Sequence, residues 1–171
     1  MKKSVLVILL FLAPFLSGCF GVNNYFKSVR NDIIHHIDAG FTEDTEFALG
    51  PVTLTVAGWF VPDEEQASEF IDNISQLQVG IYKKEMNGNS NYFKLIQKID
   101  RRMNRHGCRY IVKNCSKDEV SAIYVNRNLE RGIRRMFIIN IDKEEMVIVQ
   151  MDGNLSKVIE TAIQDRGLSY N

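Results

Sequence analysis

Apolar residues along the chain fall into three patterns. From Val5 to Leu16 they run almost unbroken, VLVILLFLAPFL. Between 89 and 105, and again after Asn154, they recur every three or four residues. Elsewhere they form short alternating or continuous stretches between turn residues. The first pattern is that of a targeting segment, the second of amphipathic helices, the third of strands.

The clearest helix spans 89–105. Tyr92, Leu95, Ile96, Ile99 and Met103 make one stripe, and Gly107 ends it as a residue free to take positive φ. Residues 63–76, DEEQASEFIDNISQ, predict another. Ala67, Phe70, Ile71 and Ile74 share a face, and acids fill the first turn, where the helix dipole favours them. A last helix opens with Asn154 as N-cap and turns Leu155, Val158, Ile159, Ala162 and Ile163 inward. Strands are expected at about 77–83, 109–113, 120–126, 133–141 and 145–151. MFIINI and EMVIVQM form a hairpin around Asp142-Lys143-Glu144. RNDIIHHIDAGFTEDTEFALG reads as two short strands around a turn near Ala39-Gly40. PVTLTVAGWFV reads both ways: its β-branched alternation favours a strand, its Gly50-Pro51 start a helix. The sum is an α+β fold, a mainly antiparallel sheet ending in a C-terminal meander, with amphipathic helices packed on one face. In MVIVQM both parities are apolar, which suits a sheet buried on much of both sides.

The N-terminal run changes the picture of where the domain resides. Lys2 and Lys3 precede it, and Leu16-Ser17-Gly18-Cys19 follows. A basic start, a short apolar core and small residues before a cut site make a signal peptide. The run is too short to span a bilayer, which takes about 20 apolar residues. LSGC resembles the bacterial lipobox, which implies cleavage after residue 18 and lipid on Cys19. Two or more acyl chains hold a protein firmly, at about 0.8 kcal/mol per buried CH₂. In enteric lipoproteins an Asp after the lipidated Cys favours the inner membrane. Phe20 stands there, so the resemblance implies the periplasmic side of the outer membrane if the host is Gram-negative. The expected organisation is a signal peptide at 1–18, lipidated Cys and short tether at 19–26, and one domain at 27–171, a length that suits a single core.

Cys108 and Cys115 would be exported into an oxidising compartment. A strand over RYIVKN holds their Cα atoms roughly 23 Å apart, and a disulfide needs about 7 Å or less. We expect the strand, with Cys108 buried and Cys115 in a loop.

The VSAIYVNRN strand with Tyr124 and Arg127, the hairpin through RGIRRMFIINIDKEEMVIVQM, and Gly153 before a final amphipathic helix resemble a family of small Gram-negative lipoproteins, domain of unknown function 4252. LGP…WFVP and LQVGIYKK fit more loosely. The resemblance covers most of the chain after the signal peptide and implies no activity and no functional residue.

Charge is neutral overall, 21 basic against 21 acidic residues, but unevenly placed. Residues 31–82 hold ten acids and no Lys or Arg, whereas residues 101–135 hold ten basic residues and three acids. Such asymmetry points to partners. On the 89–105 helix, Lys94, Lys98, Arg101, Arg102 and Arg105 share one side. The stripe suits anionic lipid headgroups, lipopolysaccharide phosphates or an acidic protein patch. The simpler reading is a solvated helix face, or neutralisation by the acidic segment as a folded neighbour. Nucleic acid is a poor partner for an exported chain of this balance.

Enzyme chemistry finds little footing. There is no HExxH, GxSxG, P-loop or CxxC pattern. His36 and Asp38 would share a strand face and could form a hydrolase or metal site. Exposed polar residues near a turn are the simpler reading. Trp59 and Phe60 read as core rather than as a ligand pocket. No cofactor, metal or catalytic residue is expected. The expectation is a membrane-anchored, non-enzymatic envelope interaction module. The alternatives are a periplasmic small-ligand carrier and, further off, a hydrolase or metal enzyme.

Overall fold

The computed structural model describes residues 21–36, 40–58, 71–85, 91–128 and 132–164. The signal segment, Cys19, Asp38, Trp59, Phe60 and residues 63–70 lie outside these.

Helix α1, Asn24–Ile34, opens the fold. The Asn23 side chain caps it by accepting from Phe26 N at 2.8 Å. Phe26, Val29 and Ile33 are its buried face, a helical and not a strand spacing. This corrects the expectation of a strand on either side of Gly40: only the second half, β1 (Phe41–Leu49), is one. It also corrects the tether at 19–26. Val22 and Phe26 are 4% and 0% exposed, so the packed body begins by Val22.

Helix α2, Pro51–Gly58, resolves the ambiguous segment toward its Gly50-Pro51 signal. Proline at the first position gives up an N–H that has no helical partner there, and Leu54 N closes the first turn on Gly50 O at 2.9 Å. Ile71 and Asp72 are helical, but the helix expected to reach residue 76 is over by Asn73. Ile74 already pairs with Gly153 as the first residue of β2 (Ile74–Lys84).

Helix α3, Tyr92–Arg105, buries the expected stripe of Tyr92, Leu95, Ile96, Ile99 and Met103. Asn91 caps its start. At its end Gly107 sits at φ 73°, with Gly107 N bonded to Asn104 O at 3.0 Å and Cys108 N to Met103 O at 2.9 Å. This pair of bonds is a Schellman closure, and it turns the chain into β3. Strands β3 (Arg109–Cys115), β4 (Val120–Asn128), β5 (Gly132–Ile141) and β6 (Glu145–Gly153) form the meander. Helix α4, Leu155–Gln164, ends it. Cys108 is buried, and Cys115 is the last residue of β3 rather than a loop residue; both are free thiols.

The six strands are antiparallel in the order β1-β2-β6-β5-β4-β3. Helices pack on both faces, not one. Helices α1 and α3 share a core with Tyr82, Tyr124, Phe137, Ile139 and Ile148. Leu54 of α2 and Leu155 of α4 share another with Met136, Met151 and Val125, residues of the opposite parity. In β6 this puts Met146 and Ile148 on the first face, fully buried, and Val147 and Val149 half-buried on the second. The double apolar parity of that strand follows.

A candidate anion-binding groove

The first face carries the site. Tyr25, near the start of α1, donates its hydroxyl to His106 O at 2.9 Å, and the two rings meet edge-on at 5.8 Å. The contact fixes α1 against the end of α3. Asp32, further along α1, faces Arg102, Arg105 and His106 at the same end of α3.

Asp32, on α1, lies among four nitrogen groups. Arg102 Nη1 and Arg105 Nη2 are each 3.4 Å from Oδ1, His106 Nε2 is 3.3 Å from Oδ2, and His36 Nδ1 is 3.5 Å from Oδ1. His36 Nδ1 is also 2.8 Å from the Asp32 carbonyl oxygen. These ion-pair distances exceed the 2.7–2.9 Å or so of close charge-assisted bonds. One carboxylate is shared among several donors and satisfies none of them fully. Arg102 Nε is buried with no acceptor among the described residues.

Above Asp32 lies an open groove of about 590 Å³, lined by His35, His36, Lys98, Arg101, Arg102 and Arg105. Four of the five basic residues singled out on α3 therefore converge on one cavity. Lys94 does not: it is exposed in the first turn of the helix, its backbone N–H bonded to the Asn91 cap. The histidines come from the turn that ends α1. Basic groups suit the last turn of a helix, whose carbonyl ends carry partial negative charge.

The described part of the acidic stretch meets basic residues at several places. Asp32 crosses to α3, whereas Glu43 and Glu46 meet Arg30, and Asp44 meets Lys83. Glu46 also accepts from the buried Tyr82 hydroxyl, and burial with that bond pushes the phenol's pKa far up. Asp100 plays the same part for Tyr124 (2.7 Å) and Lys113 (2.8 Å).

The proposed pairing of His36 with Asp38 falls outside the described residues, and His36 is taken up by Asp32. Among the described residues no three or more His, Cys, Asp or Glu side chains are placed to hold a metal ion. Cys108 is fully buried, and burial raises its thiol pKa, the reverse of an activated nucleophile. Sequence reasoning missed Asp32 and His106. The Asp32/His36 spacing of four is a helix pair, legible once residues 24–34 are read as helix.

Comparison with known proteins adds one finding. The profile of a family described as "Domain of unknown function (DUF4252)" matches residues 41–158. No curated protein and no solved structure matches the chain. Among the described residues no helix is long and apolar enough to cross a membrane.

Proposed function

The chain belongs to the DUF4252 family, and on that premise we propose that it is an exported, lipid-anchored envelope protein that works as a non-enzymatic interaction module. Its basic groove takes an anionic component of the envelope. The convergence of Lys98, Arg101, Arg102 and Arg105 on one cavity, with Arg102 and Arg105 drawn together by Asp32, carries this reading. The basic start, the apolar run and Leu16-Ser17-Gly18-Cys19 support export and lipid on Cys19. With Val22 buried, the three chain steps from Cys19 to Val22 reach at most about 10 Å. A body so tethered works at the membrane surface, on the periplasmic side of the outer membrane in a Gram-negative host.

Crosslinking in intact cells tests the module. A discrete species captured by the native protein and lost in Arg101→Glu/Arg105→Glu supports it. Capture that survives both substitutions places the contact elsewhere and sinks the groove reading. The anchor has its own test: a Cys19→Ala protein that stays with membranes through a salt wash is not held by lipid.

A further inference from the structure

Resting on the lipid anchor, we propose that the free edge of the sheet, strand β3, is a second membrane contact: Tyr110, Ile111 and Val112 enter the interfacial layer of the bilayer that holds Cys19. Strand β3 ends the sheet and pairs only with β4. Every residue from Arg109 to Asn114 is exposed. Five large apolar side chains are exposed among the described residues, and three of them are consecutive here, Tyr110 at 54%, Ile111 at 50% and Val112 at 54%. Contiguous apolar surface of this kind marks an interaction site. The opposite edge, β1, carries Glu43, Asp44 and Glu46 instead, charges that keep an edge from docking.

The register favours lipid over a second copy of the chain. Tyr110 lies opposite Tyr124, a residue of the first core, and Val112 opposite Ile123, which packs on the second. Ile111 is the extra residue of a bulge between them. The apolar surface therefore wraps the rim of the sheet. A copy packed on one face would cover only one side of that rim, and a copy adding a strand needs an even ladder, which the bulge interrupts. A fluid interface conforms to both sides. The flanking residues fit it as well. Tyrosine favours the headgroup level, and Arg109 and Lys113 can lay their stems along apolar surface while their charges stay at the phosphates. Lys113 is held over the Tyr110 ring, 4.1 Å from its centroid, and 2.8 Å from Asp100 Oδ2. The unpaired N–H and C=O groups of the edge need water or headgroups, which limits the contact to interfacial depth.

The anchor brings this edge within reach. Asn23 N bonds to Gln78 Oε1 at 2.6 Å, and Gln78, Gln150, Phe137, Tyr124 and Tyr110 form one row across five strands. Four strand spacings separate the ends of that row, roughly 19 Å. A body held by three chain steps beyond Val22 cannot lift away from the bilayer, and rotation about the anchor lowers β3 onto it.

The test puts a water-sensitive fluorophore on the edge of the native lipoprotein, reconstituted in vesicles of phosphatidylcholine with phosphatidylglycerol. Ile111→Cys in a Cys115→Ser background carries the label, and the fully buried Cys108 stays unmodified. Val52→Cys in the same background is the control, 79% exposed on α2, which packs beside β1 at the opposite edge. The label at 111 shifts to the blue and is quenched by nitroxide-bearing lipid; the label at 52 does neither. Arg109→Gln lowers the ratio of docked to free label about fivefold, the scale of one cation at an anionic surface. A label at 111 that stays in water overturns the proposal. So does one that leaves water only as protein density rises and escapes the lipid quencher, which gives the edge to a second copy. The acyl mass on Cys19, read beforehand, separates the premise. An unlipidated protein refutes the anchor and this inference together; a lipidated protein with a wet label refutes the edge contact alone.

Discussion

Phe26→Ala tests the largest departure of the fold from its expected limits. Phe26 is fully buried in the core that α1 and α3 share with the sheet, in a segment that by sequence belongs to the tether. Removing a buried Phe side chain costs about 3–5 kcal/mol, through lost transfer energy and the cavity left behind. That is a large share of the 5–15 kcal/mol or so that holds a typical domain. With a urea slope of about 2 kcal/mol/M, a loss of about 4 kcal/mol moves the midpoint down by about 2 M. The assay is urea unfolding of the chain beginning at Phe20, followed by far-UV circular dichroism. Phe93→Ala is the control: it removes the same atoms from α3, but Phe93 is 61% exposed, and the stability stays within about 0.5 kcal/mol of the parent. A Phe26→Ala midpoint shifted by less than about 0.5 M, with an unchanged slope, refutes the reasoning. It would place α1 outside the cooperative unit.

Gly153→Ala strains the junction of β6 and α4. Gly153 sits at φ 155°, and an added Cβ would meet Asn73 O at 2.1 Å. The backbone conformation alone costs about 1–3 kcal/mol, so thermal unfolding shows a clear loss. Gly50→Ala, where a Cβ meets nothing within 4 Å, stays near neutral. Iodoacetamide labels Cys115 slowly in the native protein, because burial raises its pKa, and leaves the fully buried Cys108 unmodified until the chain unfolds. A mass deficit of two hydrogens without labelling would contradict the free thiols. Tyr82 and Tyr124 have pKa values raised by burial and by their bonds to Glu46 and Asp100. Below pH about 10 both phenols are protonated, folded or unfolded. Above it the unfolded chain loses those protons and the folded one keeps them, so stability falls as pH rises. Phenolate absorbance at high pH therefore develops together with loss of structure; absorbance from these two rings in a native-like protein would refute their burial.

What the sequence conveyed depended on whether local pattern and tertiary context agreed. Helix α3 has a stripe at 3.6-residue spacing, a cap and a terminating glycine, and each points the same way; its burial follows the prediction residue for residue. The meander was legible for the same reason: alternation and a polar turn fix the register, and Asp142-Lys143-Glu144 indeed joins β5 to β6. Helix α1 was not. The β-branched Ile33 and Ile34 beside His35 and His36 imitate a strand, while Asn23, Phe26 and Val29, which mark the helix, precede the segment that draws the eye. The site divides along the same line. Spacing on α3 placed four of its cations on one side, but Asp32 meets Arg102 from 70 residues away, and no local pattern reports such a contact.

The family match sharpens the consequence. It covers residues 41–158, the whole sheet with α2 and α3, and leaves out α1. Yet α1 buries Phe26, Val29 and Ile33 against that sheet, and it supplies Asp32, His35 and His36 to the groove. The matched segment alone would expose the apolar face carrying Phe137 and Ile148, and it would leave Arg102 and Arg105 without their carboxylate. Capture of the crosslinked species by a chain cut at Phe41 is therefore a test of positioning. Loss of the groove's ligand in that chain, with the sheet intact by circular dichroism, would show that α3 supplies the charge and α1 the geometry. Undiminished binding would show that the α3 cations suffice by themselves.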